Sequence, residues 1–218
     1  DIYPKIKKWC NNAEYVEVGL DPSYFKPPKK RPLKEKINFL FVGRLVKVKN
    51  LSYLIKGFYE ALKENKKIFL HIVGEGRERN RLEKLAEQLN ISDFVKFHGV
   101  LYKENLLKVY QNSDIFLITS KYESFCMVAT EAMACGLPVI GTKVGFLPNL
   151  VTSGETGFLI ELNNIKELKE KILFFTENRE KVREFGRKAR NFVQENFSWE
   201  KSAKKIENVC YEAINRRK

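Results

Sequence analysis

The sequence contains no apolar run approaching the roughly eighteen residues that a membrane-spanning helix requires, so no transmembrane span is expected. Its first residues, "DIYPKIKKWCNN", lack the apolar centre of a secretory signal. They begin with Asp rather than Met, and the expectation is a piece of a longer protein. Cysteine is scarce. The four present, Cys10, Cys126, Cys135 and Cys210, show no C-x-x-C spacing, and only His71 and His98 are available to help. No structural zinc site is expected from that set. Cys126 and Cys135 fall inside or at the end of an apolar helix, where a free thiol behaves as a small hydrophobe. A reducing, cytoplasmic compartment fits this usage. Both histidines lie within apolar runs, which suits hydrogen-bonded structural residues rather than proton-transfer groups. There is no internal repeat.

What the chain does have is core material and positive charge. Hydrophobic residues make up 44% of the 218 and Phe alone numbers 16, enough to pack a core and to exclude disorder. Forty Lys and Arg against 27 Asp and Glu leave a formal net charge of +13. Such a balance points to an anionic partner: nucleic acid, membrane surface or phosphorylated ligand. No aromatic and basic ribbon or nucleic-acid reading motif is present, so no nucleic-acid partner is expected. The densest basic stretch, "KPPKKRPLKEK" at 26 to 36, reads as a linker because its prolines prevent regular structure.

Beyond that linker two periods alternate. Short β-branched and aromatic runs occur at 37–42, 68–73, 94–99, 115–118, 138–141 and 157–160, and runs of that kind suit strands buried on both faces of a parallel sheet. Between them, Leu51, Leu54, Ile55, Phe58 and Leu62 mark one helix face, and Leu82, Leu85, Ala86 and Leu89 another. Leu106, Leu107, Val109 and Tyr110 repeat the spacing more loosely. Helical patterns return at Ile165 to Leu173, near 179 to 195, and from Trp199 to Ile214. Strict alternation predicts an α/β fold: a Rossmann-like, doubly wound parallel sheet of about six strands with helices on both faces. The expected organisation is a connector and linker over 1–36, the Rossmann-like domain over 37–198, and a C-terminal helix over 199–218. The connector is expected to hold a short helix and then a strand within "YVEVGLDPSYFKP".

In such sheets ligands sit outside the carboxyl ends of the strands, so the loops there carry the functional reading. After the first strand, Arg44 and Lys49 stand five residues apart, either two cations able to neutralise a diphosphate or two surface charges. After the second, the G-x-G of "VGEGRERNRL" lacks the third glycine of a dinucleotide fingerprint and reads as a tight turn. A helix starting near Ser124 or Phe125 is predicted to end at Gly136. On it Glu131 has Met127, Val128, Ala134 and Cys135 as its neighbours three and four positions away, all apolar. Glu131 is then at a rim, or partly buried with a partner such as a ligand's hydroxyl pair. Glu123 precedes the first turn, near amides that favour anions. For both glutamates the alternative is a helix-start acid and an exposed or salt-bridged carboxylate.

Taken in order, "VGRLVKVKN", "LHIVGEGRERNRLEKLAEQL", "DFVKFHGVL", "SDIFLITSKYESFCMVATEAMACGLPVIGTKVG" and "GETGFLI" resemble the nucleotide-sugar-binding half of the group 1 retaining glycosyltransferases, the glycogen-synthase-like and phosphatidylinositol-mannosyltransferase-like enzymes. The similarity covers roughly residues 37 to 195, and "VGLDPSYFKP" resembles that family's interdomain connector. The resemblance implies one half of a GT-B fold, the C-terminal donor-binding domain. It implies a nucleoside diphosphate sugar as donor, no metal or other cofactor, and an acceptor site on an N-terminal domain. Arg44 and Lys49 match the family's diphosphate-gripping pair. Glu123 matches the glutamate that approaches the sugar, and Glu131 the one that bonds the ribose. The backbone at Ser124, Phe125 and Cys126 would meet sugar hydroxyls or phosphate, and Leu101 falls where the base packs.

Three departures accompany the match. The usual E-G-F-G is "ESFC", so Ser124 and Cys126 replace glycines where the backbone nears the ligand. A later G-G-x-P-E is "GFLPN", with Phe146 and Asn149 in place of a glycine and a glutamate, and the usual P-N-G-V-D is "EVGLD". The expected activity is sugar transfer with retention, incomplete in this domain by itself. The alternatives are a non-catalytic nucleotide-sugar-binding subunit of a split enzyme and a GT-B epimerase. The basic surface also fits peripheral contact of the parent enzyme with anionic membrane.

Overall fold

The computed structural model describes residues 3–10, 13, 14, 16–29 and 35–215. Six strands form one parallel sheet: β1 (Ile37–Val42), β2 (Ile68–Val73), β3 (Val95–Phe97), β4 (Ile115–Ile118), β5 (Val139–Thr142) and β6 (Gly157–Ile160). Their spatial order is β3-β2-β1-β4-β5-β6. The helices are α1 (Tyr3–Trp9), α2 (Leu51–Leu62), α3 (Arg79–Gln88), α4 (Lys103–Asn112), α5 (Met127–Ala134), α6 (Leu147–Leu150), α7 (Ile165–Glu177), α8 (Arg179–Asn196) and α9 (Trp199–Asn215).

The central strands are largely apolar because both faces are covered. Every residue of β4 and β5 is buried, and Phe39, Leu40 and Phe41 of β1 are fully so. Helix α2 packs against α3 and α7, and α5 packs against α8. Parallel register runs from Ile37 opposite Ile68 to Val42 opposite Val73, and Phe39 lies opposite Ile115. The chain therefore builds outward from β1 to β3, crosses back, and builds the other half from β4. Right-handed crossovers then place helices on both faces. The reversal leaves the loops after β1 and β4 side by side at the carboxyl end of the sheet, the switch point at which such folds take ligands.

His71 and His98 are structural. A ring hydrogen bond of 2.9 Å joins His71 Nδ1 to His98 Nε2, and His71 Nε2 lies 3.2 Å from Asn38 Oδ1. The backbone N–H of Asn38 donates to Asp114 Oδ2 at 2.8 Å, so the set ties β3 through β2 and β1 to the start of β4.

Three local expectations are corrected. The third strand is shorter than 94–99, because Ser92–Phe94 form a 3-10 turn and His98 and Gly99 already belong to the loop. The strand expected in the connector is reduced to a single bridge between Leu20 and Ser198 among the described residues, since Leu20 alone reaches the end of α8, donating to Phe197 O at 2.8 Å. Helix α5 starts at Met127 rather than near Ser124, for a reason given below. The linker expected over 26–36 has neither helix nor strand where described, and its residues 30–34 lie outside the described residues, as do 216–218 of the expected C-terminal helix.

The connector is held down by Arg190 of α8. Its guanidinium donates to the carbonyls of Phe25 and Pro22 and to Ala134 O at the end of α5. Helix α9 projects from this body with no buried residue, leaving Trp199, Ile206, Tyr211 and Ile214 exposed. Ser202 Oγ donates to Glu17 O at 2.7 Å and Lys205 pairs with the Glu17 carboxylate at 3.0 Å. No helix among the described residues is long and apolar enough to cross a membrane.

Candidate functional site

The first wall of the site is the loop after β1. Leu45 N–H donates to Glu75 O at 2.8 Å and Glu78 N–H to Leu45 O at 3.0 Å, which ties it to the loop after β2. The two glycines of "GEG" serve this contact. A Cβ on Gly74 would stand 2.0 Å from Gly43 O, and one on Gly76 2.3 Å from Leu45 O. They are spacers between two backbones. Arg44, next to Gly43, points out of this packed junction as an exposed cation with no ion pair among the described residues. Lys49 ends a 3-10 turn, Lys47–Lys49, that leads into α2.

The second wall is the loop after β4, stitched to the first where Lys121 N–H donates to Val48 O at 2.8 Å. Glu123 is buried here, with 6% exposure, and Lys49 Nζ lies 2.6 Å from its Oε1. Ser120 Oγ donates to the same oxygen, and Thr142 Oγ1 holds Ser120 O at 2.6 Å. Two residues 74 apart in sequence thus share one ion pair at the switch point. Its cost in desolvation is offset only while both charges and their hydrogen bonds are kept.

A third loop, after β5, closes over Glu123 from the other side. Phe146 N–H donates to Glu123 O at 3.3 Å. Gly145 has φ +54, and a Cβ there would fall 1.6 Å from Glu123 O. Gly145→Ala is therefore expected to displace the Glu123 loop. Strain from the positive φ alone costs about 1–3 kcal/mol. Chemical unfolding and donor binding check this, and a variant matching the parent in both contradicts it.

The start of α5 explains its shortened length. Cys126 has φ +68 and ψ +57, left-handed values that keep it out of the helix and make it the residue before the first turn. The position suits glycine, so cysteine stands there at some strain. Burial, then the neighbouring Glu123 charge, push its thiol up to about 12, so it is no nucleophile and presents its backbone. Ser124 is exposed beside it. Phe125 stacks on Phe146, centroids 4.9 Å apart, with Phe197 edge-on at 5.7 Å. The phenylalanine at 146 has thus become part of an aromatic cluster beside Glu123. A cavity of about 1050 Å³ opens there, bounded by Glu123, Ser124, Phe125 and Phe146 on one side and by Val18 and Lys201 on the other.

Glu131 sits one turn into α5, partly buried, and its Oε2 accepts a 2.8 Å hydrogen bond from Tyr110. Burial pushes its carboxyl above the usual glutamate range, and the Tyr110 bond opposes that shift. Leu101 follows Gly99 in the loop after β3, two strands over from β1, partly buried against the core. Of the predicted residues, Lys49 and Glu123 come into direct contact. Ser124, Phe125 and Cys126 follow Glu123 in the chain, Arg44 precedes Lys49 on the loop after β1, Glu131 is on α5 and Leu101 is in the loop after β3.

Ser120, Tyr110 and Gly145 were not singled out by sequence reasoning. Nothing in one sequence marks Ser120. Tyr110 read as part of an apolar face, and Gly145 only as the first glycine of "GFLPN", with no role given to it. Among the described residues no three His, Cys, Asp or Glu side chains gather as a metal site.

Comparison with known proteins agrees with the fold. The family described as Glycosyl transferases group 1 matches residues 24–192. N-acetyl-alpha-D-glucosaminyl L-malate synthase of Bacillus anthracis is 33% identical over 181 residues, 83% of this chain and 46% of that protein. The chain spans about half the length of the curated relatives it matches. In structure it is similar to the C-terminal domain of a group 1 family glycosyl transferase, LpcC of Francisella tularensis, with TM-score 0.75, 23% identity and coverage of 83% of this chain and 100% of that one. It is also similar to Anabaena HepE, solved in complex with UDP and glucose, with TM-score 0.82, 22% identity and coverage of 91% and 56%. Both show the fold: one Rossmann-like half of a GT-B architecture.

Proposed function

Because the chain belongs to the group 1 glycosyl transferases, we propose that it is the donor-binding half of a retaining enzyme. It takes a sugar from a nucleoside diphosphate sugar and passes it to an acceptor held by an N-terminal domain. The observation that carries this is the Lys49–Glu123 pair at the switch point, with exposed Arg44 on the same loop as Lys49. The UDP and glucose held by the Anabaena protein support the donor class.

As the bond between sugar and diphosphate breaks, negative charge grows on the departing phosphate. Arg44 and Lys49 neutralise it with preorganised positive charge, the work a divalent ion would otherwise do. Glu123 orients the sugar and supplies positioning rather than proton transfer. Its ion pair with Lys49 means that the sugar contact and the diphosphate contact are set together. The backbone at Ser124, Phe125 and Cys126 meets sugar hydroxyls or phosphate, and Glu131 accepts from the ribose hydroxyls. Leu101 packs the base. No metal is required by this scheme.

The acceptor side is the partner domain. The share of each relative that the chain spans, the cavity at Val18 and Lys201, and the exposed apolar residues of α9 all favour such a neighbour. The enzyme works in the cytoplasm, and the net charge of +13 suits peripheral contact with anionic lipid. The half-length match also favours a second reading, a nucleotide-sugar-binding subunit that pairs with a separate acceptor protein.

Glu123→Gln tests the sugar role. The parent chain is expected to bind a nucleoside diphosphate sugar more tightly than the same nucleoside diphosphate. In the variant that preference shrinks by about tenfold, the worth of one hydrogen bond to a charged group. Titration calorimetry with both ligands reads the ratio, and an unchanged preference removes Glu123 from the sugar.

A further inference from the structure

Tyr110 is fully buried on α4, and the proposed scheme gives it no task. Its ring is packed on both sides, with Phe25 of the connector edge-on at 6.1 Å and Phe116 of β4 at 6.3 Å. With no exposure to solvent, the ring's place is set by the core around it. The hydroxyl has two acceptors: Val128 O at 3.2 Å and Glu131 Oε2 at 2.8 Å. Burial, and then the neighbouring Glu131, hold the Tyr110 hydroxyl well above the ordinary tyrosine range, so it is a donor near neutral pH.

Glu131 differs from Tyr110 in being only partly buried, and among the described residues its Oε1 has no hydrogen-bond partner. A glutamate has three side-chain torsions and, at a half-open position, little reason to hold one rotamer. Here one oxygen is clamped to a hydroxyl whose own position is fixed by the core, which leaves the second oxygen with a set direction. A carboxylate held in that way can recognise a hydroxyl pair with good geometry, whereas a mobile one spends binding free energy on its own ordering.

We propose that Tyr110 is a positioning residue for ribose recognition: by fixing Oε2 of Glu131 it directs Oε1 at the ribose hydroxyls of the donor nucleotide. The inference rests on the donor-binding reading above and adds the residue that makes its ribose contact selective. Tyr110 touches no substrate atom and acts through Glu131 alone.

The test is the preference of the 218-residue chain for ribonucleotides over 2′-deoxyribonucleotides. Uridine, guanosine and adenosine diphosphates and their 2′-deoxy counterparts are the probes, and titration calorimetry reads the ratio of dissociation constants. The parent is expected to prefer the ribonucleotide by about tenfold or more, the worth of one hydrogen bond to a carboxylate. Tyr110→Phe keeps the packed ring and is expected to bring that ratio within about twofold, while binding of the 2′-deoxy form changes little. In a Glu131→Ala background the same substitution is expected to leave the ratio unchanged, since the carboxylate it acts through is gone.

Should Tyr110→Phe fail to fold, Glu131→Asp serves. Its carboxylate is one methylene shorter and cannot satisfy both Tyr110 and the ribose, so the ratio should again collapse. A ratio retained in a folded Tyr110→Phe, or retained in Glu131→Asp, overturns the inference and leaves the donor-binding reading standing. A parent that binds the nucleotides without preferring ribose overturns it likewise. A parent that binds none of the six overturns both.

Discussion

Lys49→Ala is expected to be the most damaging single substitution at the site, lowering stability by about 2–4 kcal/mol and weakening donor binding by tenfold or more. Removing one member of a buried ion pair leaves the other charge uncompensated, at a cost of about 3–5 kcal/mol when burial is complete. Glu123 is 6% exposed and Lys49 17%, so the expected loss sits slightly below that range. What Lys49→Ala leaves on Glu123 Oε1 is the Ser120 hydroxyl, which cannot balance a full charge. Pairing the change with Glu123→Gln, which removes the stranded charge, is expected to restore much of the lost stability and none of the donor binding. Arg44→Ala provides the contrast. Arg44 is exposed with no ion pair among the described residues, so its loss should leave the unfolding midpoint where it was while weakening diphosphate binding. Urea unfolding of the three variants separates these effects. A Lys49→Ala chain as stable as the parent would show that the pair carries no weight in the fold.

The second large effect is expected at Glu131, where stability and binding should move in opposite directions. Its folded pKa is raised by burial, so the folded state disfavours the charged form more than the unfolded chain does. Between the unfolded value and the raised folded one, the native state carries more bound protons than the unfolded state. Stability contributed by the protonated form is thus present at low pH and is lost as pH rises through that window. Glu131→Gln removes the charge and keeps an oxygen for the Tyr110 hydroxyl. It is expected to melt at or above the parent at pH 7, with the difference closing as the pH approaches the ordinary glutamate range. Nucleotide binding should weaken by about tenfold, the loss of a charge-assisted hydrogen bond. Melting curves across that pH range together with calorimetry check both halves. A Gln variant that is less stable than the parent at pH 7 would make Glu131 a structural residue.

The contrast between Lys49 and Glu131 marks what a single sequence can and cannot convey. Five of the six strands were legible because each is a largely apolar run of four or six residues, and the alternation with helical spacing made the sheet parallel; β3, three residues with Lys96 exposed, was overdrawn. The loops at its carboxyl end could be picked out for the same reason. The order of the strands was not legible, and with it the contact between Lys49 and Glu123, since 74 residues and two walls of the sheet separate them in the chain. The start of α5 was misjudged because Cys126 adopts a left-handed conformation that cysteine rarely takes, and composition gives no warning of it. Glu131 read either as a rim carboxylate or as one partly buried with a partner, and its partner is a tyrosine that its own spacing had assigned to the apolar face of α4. The connector strand failed because a single residue, Leu20, makes the bridge. In each case the missing information was tertiary: a hydrogen bond or backbone approach set by elements far apart in the chain.

The most direct test of the account is a thermal-shift titration of the 218-residue chain with nucleoside diphosphates and their sugar conjugates, run beside Arg44→Ala. A ligand that binds the native state raises its stability by about 2.7 kcal/mol at a hundred times its dissociation constant. The account predicts that at least one nucleotide raises the melting temperature of the parent. It predicts that Arg44→Ala, with the same melting temperature in buffer, loses most of that shift. No shift with any nucleotide, or a full shift in Arg44→Ala, contradicts it.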